Sequence, residues 1–200
     1  MGKEKWQIAG IDYGSKMAGT TVIASLKDLH IQISSSEKKK DADAFILQWA
    51  QSFSPQYVFL DAPLSLPGVY TNLPGCEDYF YRQADKQLKA MSPMFLGGLT
   101  ARAMKLRSQL VSGQVQVREV YPSQMAKVLT LKDQGYKKQK ERIQPLLKHL
   151  APFLEDFHWQ PEMVTSWHHF DALLALVSGL RFMEQEHETY GMEGEGVIVI

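Results

Sequence analysis

Residues 57–63 read Tyr-Val-Phe-Leu-Asp-Ala-Pro, an unbroken apolar run that ends in an acid and is stopped by proline. Runs of this kind belong to strands covered on both faces. Helix signals precede it, from Asp41 through Ala44, Phe45, Leu47, Gln48 and Ala50 to about Phe53. Upstream, residues 6–12 (WQIAGID), 18–25 (AGTTVIAS) and 29–34 (LHIQIS) read as three strands. The connectors Tyr13–Met17 and Lys27–Asp28 are short enough for hairpins. The pattern is an antiparallel meander, then a helix and a strand, and strand-helix-strand implies a parallel crossover. The fold class is therefore α/β with a mixed sheet.

Downstream, residues 62–76 contain Pro63, Pro67, Gly68, Pro74 and Gly75 and read as a loop. A loop that long in a compact domain is often functional. Helices are expected over 77–90 and 99–111, separated by a break at 93–98. A fifth strand is expected at 115–120 (VQVREV), stopped by Pro122. Further helices read at about 123–130 and 138–150, 151–165 is irregular, and 168–184 is the last long helix. The closing VIVI is a candidate edge strand, free to join the sheet or pair with a second subunit, so a homodimer is one partner expectation.

With 200 residues, one domain is the economical reading. The single cysteine, Cys76, excludes an internal disulfide and any zinc site built on several cysteines. No window approaches the ~20 apolar residues of a membrane span, and Met1–Gln7 carries no apolar signal region. The expectation is a cytoplasmic chain with no membrane partner. The 22 basic and 22 acidic residues cancel, but Glu184, Glu186, Glu188, Glu193 and Glu195 crowd the end with no Lys or Arg beside them. Residues 1–183 therefore carry five positive charges in excess, which is compatible with a phosphate-bearing partner.

Acids recur where strands stop. Asp12 ends the first strand, Asp61 ends the fourth, Glu119 lies near the end of the fifth, and Asp171 follows His168 by three residues at the start of the last helix. Sites in open α/β sheets form at the carboxyl ends of the parallel strands. If the first and fourth strands are neighbours, Asp12 and Asp61 converge. Two bare carboxylates repel, so one is protonated unless a cation lies between them. Hard oxygen ligands suit Mg²⁺ or Mn²⁺, and two such ions about 3.5–4 Å apart support phosphodiester hydrolysis. Each acid also has a purely structural reading. Asp12 can form a turn, Glu119 can pair with Arg118 at a solvent edge, and Asp171 can complement a helix N-terminus. Period-2 alternation nevertheless places Glu119 with Val115 and Val117 on an apolar face. His168, Asp171, Ala175 and Ser178 share a narrow helix face, whose small residues would let the helix lie close to the sheet. His168 there has the chemistry of a general base.

Together the segments GIDYG (10–14), FLDAPLSLPG (59–68), RQAD (82–85), REVYPS (118–123), DALLALVSGL (171–180) and EGVIVI (195–200) resemble the RNase H-like nuclease superfamily. They look most like the predicted-nuclease family with an RNase H-like fold known as domain of unknown function 429, related to RuvC-type resolvases. The resemblance spans nearly the whole chain in order. It implies a five-stranded mixed sheet of order 3-2-1-4-5, strand 2 antiparallel, flanked by helices. It implies a single RNase H-like domain over 1–200, with a helical insertion at about 77–112 and an acidic tail at 184–200. It implies metal-binding acids at Asp12, Asp61 and Asp171, with Glu119 a further position of the pattern. His168, three before Asp171, is similar to the closing motif of RuvC-type resolvases.

Arg82 can grip a phosphate bidentately or pair internally with Asp85. Lys132, Lys137, Lys138, Lys140 and Arg142 form one basic stretch, and Arg102, Lys105 and Arg107 another. Lys137 and Lys138 are the candidates there for contact with a nucleic-acid backbone, against the plain reading of a solvated helix face. Tyr70, Tyr79, Phe80 and Tyr81 can stack a base or pack a helix. No G-x-S-x-G, H-E-x-x-H or P-loop occurs. The leading expectation is a Mg²⁺- or Mn²⁺-dependent nuclease acting on DNA or RNA. The alternatives are a non-catalytic nucleic-acid-binding module on the same fold and a small actin-like protein that binds nucleotide phosphates.

Overall fold

The structure is a computed structural model that describes residues 2–200. Its strands are β1 (Ile8–Asp12), β2 (Val22–Lys27), β3 (His30–Ser35), β4 (Tyr57–Asp61), β5 (Gln116–Val120), β6 (Thr189–Met192) and β7 (Gly196–Val199). Its helices are α1 (Ala42–Phe53), α2 (Gln83–Leu88), α3 (Pro93–Leu96), α4 (Gly98–Ser112), α5 (Pro122–Val128), α6 (Ile143–Leu147), α7 (Ala151–Leu154) and α8 (Trp167–Glu184). One mixed sheet runs β3-β2-β1-β4-β5-β7-β6. The β1–β4, β4–β5 and β5–β7 pairs are parallel, and β1–β2, β2–β3 and β6–β7 are antiparallel.

The first five strands stand in the expected order, but the sheet has seven strands rather than five. The extra two come from the Glu-rich segment. Gly194 and Gly196 hold φ of +89° and +121°, which L side chains rarely adopt, and let the chain double back as a hairpin. The VIVI segment is consequently interior, with β6 as the edge. The segment is not solvated throughout either. Glu195 is buried and accepts hydrogen bonds from the Gly68 and Gln83 backbone N–H groups at 2.8 and 2.6 Å.

Other boundaries move for local reasons. The expected helix over 77–90 shrinks to α2, because the Asp78 carboxylate accepts from the N–H groups of Phe80 and Tyr81 at 2.7 and 2.9 Å and holds them in a turn. The expected break at 93–98 contains α3, capped by the Ser92 hydroxyl. The second strand begins at Val22, not Ala18, since Lys16–Gly19 forms a turn with Gly19 at φ +72°.

The sheet separates two apolar layers. Ala9, Ile11, Val58, Leu60 and Val117 pack toward α1 and α4. Ile8, Phe59 and Val120 pack toward α5–α8. Alternation along β1 and β4 thus aims Asp12 and Asp61 at the α8 side. Helix α8 lies very close to β1. A Cβ added to Gly10 would fall 2.0 Å from the Leu176 amide nitrogen and 2.5 Å from the Ala172 carbonyl oxygen. Only glycine admits that approach, and it delivers the first turn of α8 to the strand ends.

Candidate functional site

Asp12 and Asp61 end adjacent parallel strands and are direct register partners. Asp171, buried in the second turn of α8, completes a group of three acids. The Asp61 carboxylate accepts no hydrogen bond from the described residues. Burial, followed by repulsion from Asp12 and Asp171, raises its pKa well above the ordinary range. Burial likewise raises Asp171 to about 6, opposed by the Lys137 ammonium and reinforced by Asp12.

The other two acids are matched by neighbours. The His168 Nδ1 lies 2.7 Å from Asp12 Oδ2, and this hydrogen bond raises the imidazole pKa. Asp171 has both oxygens occupied. Tyr136 donates its hydroxyl to Oδ1 at 2.5 Å, and the Lys137 Nζ sits 2.7 Å from Oδ2. Lys137 holds φ +57° and its side chain is half-exposed. Sequence reading placed Lys137 on a basic stretch but gave no sign of Tyr136 as a partner, because a contact across 35 residues has no local periodicity.

The oxygen donor chemistry at the strand ends suits a hard divalent cation. The arrangement is only partly assembled for one. Among the described residues no three His, Cys, Asp or Glu side chains are gathered closely enough to hold a metal ion. The Lys137 ammonium takes the place of positive charge against Asp171.

Glu119 and Arg82 are corrections. Glu119 is in register with Leu60, not Asp61, and so belongs to the opposite sheet face. There it joins a closed ion cluster. Arg82, fully buried, donates through Nη1 and Nη2 to both Glu119 oxygens at 2.7 Å. It also reaches both Asp85 oxygens, from Nε at 3.1 Å and Nη2 at 2.7 Å, and the Ser65 hydroxyl at 2.9 Å. All five guanidinium hydrogens are used, so Arg82 has none left for a phosphate. Asp85 is legible in the sequence only as the internal alternative for Arg82, and nothing local marks Glu195 off from the other glutamates of the acidic tail.

The basic stretches divide similarly. Arg102 grips Asp43 with Nε and Nη2 at 3.0 and 2.6 Å, and Asp43 also accepts the Tyr13 hydroxyl at 2.6 Å. Arg102 therefore braces the turn that follows Asp12. Lys138 is exposed. Of the residues expected at the site, the structure brings together Asp12, Asp61, Asp171, His168 and Lys137. It sets apart Glu119 and Arg82, and leaves Lys138 exposed with no side-chain contact to the acids.

No family profile matches the chain, and neither does any curated protein. Among solved structures it is similar to T. thermophilus RuvC in complex with Holliday junction substrate, at 17% identity and a TM-score of 0.47, covering 92% of this chain and 98% of that one. Among the described residues no helix is long and apolar enough to cross a membrane.

Proposed function

We propose that the chain is a single RNase H-like domain acting as a divalent-metal-dependent nuclease on DNA or RNA. The observation that carries this reading is Asp61: a carboxylate without a hydrogen-bond partner, pressed between two further acids at the carboxyl ends of parallel strands. Crowding a partly buried carboxylate against like charges in this way costs stability, and a cation is what would relieve it. Asp12 and Asp61 would hold Mg²⁺ or Mn²⁺, joined by Asp171 once Lys137 withdraws from it. The ion, when bound, lowers the pKa of a water and stabilises charge on the phosphate. His168, anchored through Nδ1 to Asp12, leaves its other ring nitrogen to hold or move a proton. Lys137, displaced from Asp171, is placed to meet a phosphate oxygen.

A second reading, a non-catalytic nucleic-acid-binding module, is favoured by the same Lys137 and His168 contacts, which already neutralise two of the three acids. Calorimetric titration with Mn²⁺ separates the two. Saturable binding lost in Asp12→Asn and Asp61→Asn, with cleavage of a mixed panel of oligonucleotides lost in parallel, supports the nuclease. Retained cleavage by purified Asp12→Asn overturns it.

A further inference from the structure

A cavity opens beside the acids. Its volume is about 210 Å³, and its lining includes Asp61 together with Met91, Leu96, Leu99, Tyr121 and Ile198. Arg82, Asp85 and Glu119 also line it and form a polar group. Pockets that take drug-sized molecules run to about 300 Å³ and more, so this one admits a single ring system and not a whole nucleotide. The polar group has a defined sense. Every Arg82 hydrogen is already bonded within the cluster, so what this group leaves for a ligand are the unshared lone pairs of Asp85 and Glu119.

The lip continues into an exposed apolar surface. Met91 is 61% exposed, and next to Leu96 the ring of Phe95, 62% exposed, stacks on Phe80 at 6.1 Å. Contiguous exposed apolar groups of this kind mark contact surfaces.

We infer that this cavity receives one unpaired, amino-bearing nucleobase (adenine, cytosine or guanine) extruded from the nucleic-acid substrate, while the attached backbone lies across Asp61. The inference rests on the nuclease reading and adds a substrate class to it: strands with an unstacked base at the point of cleavage. An apolar wall with a few acceptors suits a flat ring that must be desolvated and read on its amino edge. The position of Asp61 in the cavity wall ties base capture to the acid cluster within one residue.

The test measures binding, not cleavage. Full-length Asp12→Asn protein is titrated without divalent metal against three labelled duplexes: fully paired, with a single bulged cytosine, and with an abasic site at the bulge. The cytosine bulge is expected to bind at least ten-fold more tightly than the abasic bulge, and a bulged thymine several-fold more weakly than cytosine. Leu99→Trp, which fills the cavity, should erase the difference between cytosine and abasic bulges. Met91→Ala, at an exposed position that does not threaten the fold, should reduce it. Equal affinity for cytosine and abasic bulges, or a Leu99→Trp protein with an intact melting transition and an undiminished preference, overturns the inference. Equal affinity for thymine and cytosine overturns the acceptor assignment. Absence of Mn²⁺ binding in the wild type, with base preference intact, would instead count against the nuclease reading alone.

Discussion

Two groups of carboxylates lie one strand apart and are treated in opposite ways. Around Arg82, the acids Asp85 and Glu119 are buried and take four of the five hydrogens of one guanidinium, the Ser65 hydroxyl taking the fifth, and Glu119 also accepts from the Leu64 N–H at 2.8 Å. Around Asp61, only two of the three acids have side-chain partners among the described residues; the lysine and the histidine are half-exposed and can leave, while the buried Tyr136 hydroxyl stays on Asp171. The first group is closed: burial pushes Glu119 up, and Arg82 pulls it back. The second remains open. Closed ion clusters specify a fold, whereas open ones store unfavourable interactions that a ligand relieves. Residue composition does not distinguish the two; the number of committed hydrogen-bond donors does.

The largest effect that would sharpen this contrast is on catalysis. Asp12→Asn or Asp61→Asn should lower the cleavage rate at least about a thousand-fold, the scale of several kcal/mol of lost charge stabilisation. The melting temperature should not fall. A melting transition that drops with activity would mean that the strand-end acids hold the fold together, and the contrast would be wrong.

Arg82→Met should do the reverse. Removing the shared cation leaves Asp85 and Glu119 buried and unpaired, which costs about 3–5 kcal/mol. For a domain of this size that is on the order of 10 °C in melting temperature. Glu195 helps hold the same region by fixing the Gly68 and Gln83 N–H groups, so loosening should extend to the β6–β7 hairpin and be seen as faster amide exchange at Gly68. A variant that melts within 2 °C of the wild type would show the cluster to be dispensable.

The open site was more legible in the sequence than the closed one, for a physical reason. Asp12 and Asp61 are placed by strand ends and Asp171 by helix periodicity, and these local patterns suffice once β1 and β4 pair in parallel. Gly10, read only as part of a buried strand, sets how closely α8 can approach. Glu119 was misplaced because alternation correctly put it with Val117, but only pairing register with Leu60 shows that this face is not the one carrying Asp61. The extra strands were hidden by charge. Five glutamates make the segment read as an acidic tail, and the burial of Glu195 depends on backbone donors more than a hundred residues away. Arg82 carried both readings in the sequence, and its burial decided between them.

A smaller effect tests the stored repulsion directly. The folded state raises the pKa of Asp61 and Asp171, so it holds their protons better than the unfolded chain does. The stability this contributes is complete below the unfolded value near 4 and is lost as pH rises through the folded value, about 6 for Asp171. Without divalent metal, Asp61→Asn should therefore melt above the wild type at pH 7–8, by about 1–2 kcal/mol, or roughly 2–8 °C. The gain should vanish near pH 4. The raised His168 pKa also costs stability as pH rises, in both proteins alike, and so cancels in the difference. A gain that is independent of pH would point to packing, not charge.

The smallest effect concerns the lysine that stands against Asp171. Lys137 Nζ is a tethered positive charge at 2.7 Å, and a metal ion that uses Asp171 must displace it. Its side chain is half in solvent, so the pair is worth about 1 kcal/mol at most. Lys137→Met should therefore bind Mn²⁺ about two- to five-fold more tightly than the wild type in calorimetry, because the cation no longer competes. The same change should weaken nucleic-acid binding and flatten its salt dependence, because a released Lys137 no longer meets a phosphate. The two measurements move in opposite directions only if one ammonium serves both partners in turn. If Mn²⁺ affinity falls instead, Lys137 organises Asp171 rather than occupying it, and the open site would be less open than its distances indicate.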